Sequence, residues 1–232
     1  MQYKVIYDSQ FTGKTDVVYI NAVPYSQNNT DAEKQAEGWG TRLYELCGRQ
    51  KSLALVIIYD FDWNADLSPW PCERVFKKGE DFAGHADEFL VRLKAEVIDS
   101  IEGSPELAGR VGSRCIAGYS LAGLFALYAA YRSEGFDYVI SASGSLWYPG
   151  LCDYIKGNSA LSSLQRIYLS LGDKEPLTKN PVMSRVGDCT EEIYEHFKQQ
   201  GTDVKFEYND GGHFADDAAR LVKGIKWIYE DD

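Results

Sequence analysis

Two patterns of apolar positions alternate along this chain. Short stretches dense in β-branched and aromatic residues read as strands. They are TDVVYINAVPY from Thr15 to Tyr25, LALVIIYD from Leu53 to Asp60 and a short one around Arg114 to Ala117. FDYVISAS from Phe136 to Ser143, RIYLSLG from Arg166 to Gly172 and DVKFEYN from Asp203 to Asn209 complete the set. Between them the apolar spacing shifts to three and four, which predicts helices. Ala36, Trp39, Leu43 and Leu46 mark one over Asp31 to Cys47, and Phe89, Leu93 and Val97 another over Asp81 to Ile101. Further helices are expected over Leu121 to Arg132, over Pro181 to Gln200, and at the end of the chain, where Leu221, Ile225 and Ile228 share a face. The run from Leu53 to Tyr59 is apolar throughout, as suits a strand covered on both faces of a parallel sheet. This alternation predicts an α/β fold, a mostly parallel central sheet with helices on both faces. At 232 residues, one domain over 1–232 is expected.

Composition narrows the function. A net charge of −11, from 35 acidic and 24 basic side chains, argues against nucleic acid and against an anionic membrane surface as partners. Five widely spaced cysteines with no CxxC pair argue against both a disulfide framework and a thiolate zinc site, and no metal or organic cofactor is implied. No run of about 18 apolar residues is present to span a membrane. MQYKVIYDSQ carries no apolar stretch of signal-peptide type, so a cytoplasmic location is the expectation. Nothing in the sequence fixes the oligomeric state.

The chemistry centres on GYSLAG, Gly118 to Gly123, a G-x-S-x-G pattern around Ser120. Chance alone supplies such a pattern often, so its context decides. Ser120 falls between a short strand and a strongly apolar helix, where a nucleophile elbow belongs. Gly118 and Gly123 would let the flanking segments close up, and the helix start would present the Leu121 N–H as one oxyanion donor. A serine hydroxyl needs a base, and the chain has three histidines. His196 lies in a polar helix and His85 precedes Ser120, whereas His213 sits in the Gly-rich NDGGHFADD loop between the last strand and the last helix. The hydrolase order of nucleophile, acid, base selects His213. SLGDKEPL after the Arg166–Gly172 strand offers Asp173 and Glu175 as the acid, with Glu175 preferred because Gly172 can turn the chain so that a residue three positions on reaches back over the strand ends. A second oxyanion amide is expected just past the LALVIIYD strand, at Asp60 or Phe61, with Phe61 chosen.

These residues resemble the esterase D family of α/β-hydrolases, which includes feruloyl, acetyl-xylan and siderophore esterases and mycolyltransferases. ADLSPWP (Ala65–Pro71) looks like the family's segment after the oxyanion strand, and FAGHADEFL (Phe82–Leu90) like its G-G-A-x-x-F-L helix start, with His85 in place of the usual Gly. The block from Gly118 to Tyr148 is similar to the family's elbow, helix and S-x-S-L-W stretch, while GDKE and GGH align with its acid and base and favour Glu175. The resemblance implies an α/β-hydrolase fold with, at this length, little or no lid. It also implies a serine carboxylic-ester hydrolase acting on a small-molecule ester through an acyl-enzyme. Trp147, and with it Trp63, would line the substrate pocket. An acyltransferase on the same residues and a catalytically silent binding domain are the alternatives.

Overall fold

A computed structural model of the protein describes residues 1–22, 29–77, 79–160 and 163–229. The order of elements is β1 (Gln2–Ile6), β2 (Thr15–Asn21), α1 (Asn29–Leu46), β3 (Leu53–Tyr59), α2 (Trp63–Asp66) and α3 (Ala86–Arg92). After a π-helical turn over Leu93–Ile98 come α4 (Asp99–Glu102), β4 (Val111–Tyr119), α5 (Leu121–Arg132), β5 (Tyr138–Ala142) and α6 (Leu151–Gly157). The chain ends with β6 (Arg166–Gly172), α7 (Val186–Gln199), β7 (Asp203–Asn209) and α8 (Asp217–Tyr229).

All seven strands form one sheet in the order β1-β3-β2-β4-β5-β6-β7. Every pairing is parallel except that of β1 with β3. β3 shows why its sequence is apolar throughout. Leu53, Leu55 and Ile57 enter a core with α1 and α8, while Ala54, Val56 and Ile58 enter the opposite core with α3, α5, α6 and α7. α5 runs through the centre of the second core and is buried from Leu121 to Tyr131, so its sequence is hydrophobic on all sides.

Several expectations shift at their edges. β1 was not legible, because an edge strand of five residues with Gln and Lys carries too little pattern. The strand expected over Thr15 to Tyr25 ends at Asn21, and its last three positions lie outside the described residues. The helix expected from Asp81 starts at Ala86 and is interrupted by the π turn. The segment before it is held instead by a two-residue bridge, Cys72 with Phe82. No lid domain interrupts the sheet elements among the described residues, and connections between those elements wall the cavity described next.

Candidate active site

Parallel strands deliver their connecting loops to one edge of the sheet, and ligands collect there. Ser120 follows β4, Ser143 to Ser145 follow β5, Glu175 follows β6 and His213 follows β7. Ser120 adopts φ 61° and ψ −125°, a conformation L-residues avoid and one that costs roughly 1–3 kcal/mol. Its neighbours hold it there. The Ser120 N–H donates to the Ala142 carbonyl at 3.1 Å, and its carbonyl accepts from Ser145 N–H at 2.9 Å. The turn also depends on Gly118, where a Cβ would lie 2.3 Å from the Ala122 carbonyl.

Ser120 Oγ lies 2.9 Å from His213 Nε2, and His213 Nδ1 lies 2.7 Å from Glu175 Oε2. The second Glu175 oxygen accepts from the Gly172 N–H at 2.7 Å and from Arg220 Nη1 at 2.8 Å. Burial pushes this carboxyl up, but hydrogen bonding and charge from His213, the Gly172 amide and the Ser143 hydroxyl outweigh it and hold the group below its ordinary value. Leu121 is the first residue of α5, so its N–H has no carbonyl four residues back within the helix, and it lines the cavity beside Ser120. Ser145 Oγ stands 3.4 Å from Ser120 Oγ.

The other candidates divide. Trp147 and Trp63 both lie in the cavity wall. Asp173 does not reach the imidazole: its Oδ1 accepts from the Gly211 N–H at 2.7 Å and braces the His213 loop from outside. His85 is exposed at the start of α3, and His196 on α7 meets Gln200 just past the helix end. Phe61 is not brought to the cavity. Its ring packs on Trp63 and Phe89, and its parent strand β3 is separated from β4 by β2. The sheet order therefore sets the end of β2 beside the elbow, not the end of β3. The connection after Ala22 begins at residues 23–28, which lie outside the described residues.

Arg220 went unnoticed in the sequence because α8 also carries Asp217, Lys223 and Lys226, and nothing local marks which of these charges is buried. It is 2 % exposed and gathers the whole site. Nη1 donates to Glu175, to Ser143 Oγ at 2.6 Å and to the Tyr119 hydroxyl at 3.2 Å. Nη2 donates to the carbonyls of Asp210 and Gly212 at 3.2 and 3.0 Å. The Tyr119 hydroxyl in turn donates to the His213 carbonyl at 2.5 Å. Gly172 makes the room: a Cβ there would stand 2.8 Å from the guanidinium and 2.4 Å from the Gly211 carbonyl.

A parallel sheet with a strained serine after its central strand and a histidine after its last is the architecture of an α/β-hydrolase. The family described as "Putative esterase" matches residues 14–219, and the chain belongs to it. That membership makes carboxylic-ester hydrolysis its class of chemistry. Solved structures share the fold. The siderophore hydrolase EstA from Aspergillus nidulans is 22 % identical with a TM-score of 0.68, over 97 % of this chain and 88 % of that one. An IroE-like serine hydrolase from Shewanella oneidensis is 19 % identical with a TM-score of 0.75, over 98 % of this chain and 75 % of that one. In sequence, the chain is 26 % identical over 137 residues to the iron(III) enterobactin esterase of Escherichia coli (strain K12), covering 55 % of this chain and 32 % of that protein. No helix among the described residues is long and apolar enough to cross a membrane.

Proposed function

We propose that this esterase works through Ser120, His213 and Glu175, by way of an acyl-enzyme. Ser120 Oγ attacks the ester carbonyl while His213 Nε2 takes its proton, and the Leu121 N–H receives the negative charge that develops on the carbonyl oxygen. The imidazolium then gives that proton to the departing alkoxide, which leaves as an alcohol. Water activated by His213 attacks the acyl-enzyme, and collapse of the second tetrahedral intermediate releases the acid and restores Ser120. Glu175 keeps the proton of the neutral ring on Nδ1, so that Nε2 presents its lone pair to the serine, and it stabilises the charged ring between the two steps. Arg220 is a positioning residue, holding the Glu175 carboxylate in place and the His213 loop in register.

The observation that carries this reading is the unbroken chain of contacts from Ser120 Oγ to His213 to Glu175, at 2.9 and 2.7 Å. Hydrolysis of p-nitrophenyl acetate by the wild-type protein and by Ser120→Ala tests it. The substitution should lower kcat by roughly 10⁴-fold or more, judging from other serine hydrolases. Equal rates in the two proteins would remove Ser120 as the nucleophile.

A further inference from the structure

Among the described residues, most large apolar side chains are packed into the two cores on either side of the sheet. Six are exposed among the described residues, and three of these ring the mouth of the Ser120 cavity. Phe214 is 98 % exposed, Leu177 75 % and Phe76 57 %. Exposed apolar surface gathered at one place marks a surface that something covers.

The placement of the three is informative. Phe214 directly follows His213, and Leu177 closes the 3₁₀ turn that begins with Glu175. Phe76 lies on the connection between Cys72 and Phe82, which Asn180 holds against the acid's side by donating to the Val75 carbonyl at 2.7 Å. Thus two of the rim residues ride on the loops that carry the histidine and the carboxylate, and the third is tied to them. The rest of the wall is mostly apolar, through Met183, Val186, Phe82, Trp147 and Trp63, with Arg74, Glu80, Lys174 and Asp217 among its charged members. The cavity holds about 840 Å³, in the range that takes ligands far larger than an acetyl ester.

We propose that the substrate is an ester with an extended apolar arm, one that runs from Ser120 along the aromatic wall and covers Phe214, Leu177 and Phe76. The proposal rests on Ser120 as the nucleophile of this cavity. Contact with Phe214 and Leu177 would then be made only by substrates long enough to reach the rim. The arm can belong to the acyl or to the alcohol half, and the two are told apart by experiment.

The test is kcat/KM for two series, p-nitrophenyl esters with acyl chains from acetyl to decanoyl and acetates of alcohols from ethanol to decanol. In one series the value should rise by up to roughly fourfold per methylene as far as about eight carbons. That series identifies the half that carries the arm. In Leu177→Ser/Phe214→Ser, the ratio of the eight-carbon to the two-carbon value should fall at least tenfold. A maximum at two carbons in both series, or a ratio indifferent to the double substitution, overturns the proposal. So does a wild-type protein that sediments as a dimer and a double variant that sediments as a monomer, since a second copy would then be what covers the rim. Failure of the nucleophile reading shows separately, as p-nitrophenyl acetate turnover that survives Ser120→Ala. In that case calorimetric binding of 1-octanol against 1-butanol decides the rim without catalysis. Tighter octanol binding that the double variant loses supports the proposal, and equal affinities overturn it.

Discussion

Asp173 and Glu175 stand two positions apart in one connection, and their side chains do different work. Asp173 leaves β6 exposed and braces the Gly211 amide, whereas the chain turns at Gly172 and brings Glu175 back under the strand ends, 8 % exposed. Only the buried carboxylate meets the imidazole. Glu175→Gln keeps the shape but loses the charge and the acceptor that orients the ring, so kcat on p-nitrophenyl acetate should fall by roughly 10³- to 10⁴-fold. Asp173→Asn should cost less than tenfold. Comparable losses in the two variants would place the acid elsewhere. That Glu175 turns back over the strand ends was legible in the sequence, since a glycine turn and a three-residue offset are local geometry.

At the scale of elements, α8 does more than cover the sheet. Its apolar stripe of Leu221, Ile225 and Ile228 docks it on the core, and Arg220 on the same helix reaches through to the last residue of β4 and to the loops after β5, β6 and β7. Removing one partner of a buried ion pair leaves the other charged and unpaired, at a cost of roughly 3–5 kcal/mol. Arg220→Met should therefore lower the melting temperature by roughly 6–20 °C for a chain of this size. It should also lower kcat with little change in KM for a small ester. Without the cation, Glu175 becomes harder to ionise, so the acid limb of the pH–rate profile should move upward. Arg220→Lys should recover part of the melting temperature, because one ammonium keeps the charge but cannot bridge Glu175, Ser143 and the two carbonyls together. An unshifted acid limb with normal kcat in Arg220→Met would make the residue purely structural.

Across the whole molecule, the net charge of −11 conceals carboxylates that folding stabilises in ionised form. Arg132 hydrogen-bonds Asp87 and lowers its pKa. Burial opposes ionisation at Glu207 and Glu175, but Tyr168 and Lys223 outweigh it at the first and His213 with the Gly172 amide at the second. A carboxyl held below its unfolded value binds fewer protons in the native state, so its stabilisation is present above the unfolded pKa of about 4.3 for Glu. It is lost as pH falls through the folded value. Thermal melts should be flat between pH 6 and 7.5 and drop steeply below about pH 4. An equal melting temperature at pH 3.5 and pH 7 would contradict this.

Local pattern was enough for the alternation of strands and helices and for the strand–turn–helix around Gly118–Gly123, because each depends on residues near one another in the chain, and the chain order of Ser120, Glu175 and His213 needs no coordinates. Period, turn chemistry and order survive without coordinates. Which strands are neighbours does not. Phe61 was chosen because it lies just past an early strand, and only the sheet order shows β2 standing between β3 and β4. Arg220 was invisible for a related reason. Its five contacts reach residues from 8 to 101 positions away, and nothing local distinguishes a buried arginine from a surface one. The exposure of Phe214 and Leu177 at a shared mouth is likewise a property of packing. Side chains from four loops meet at one edge of the sheet only after parallel strands have delivered them there.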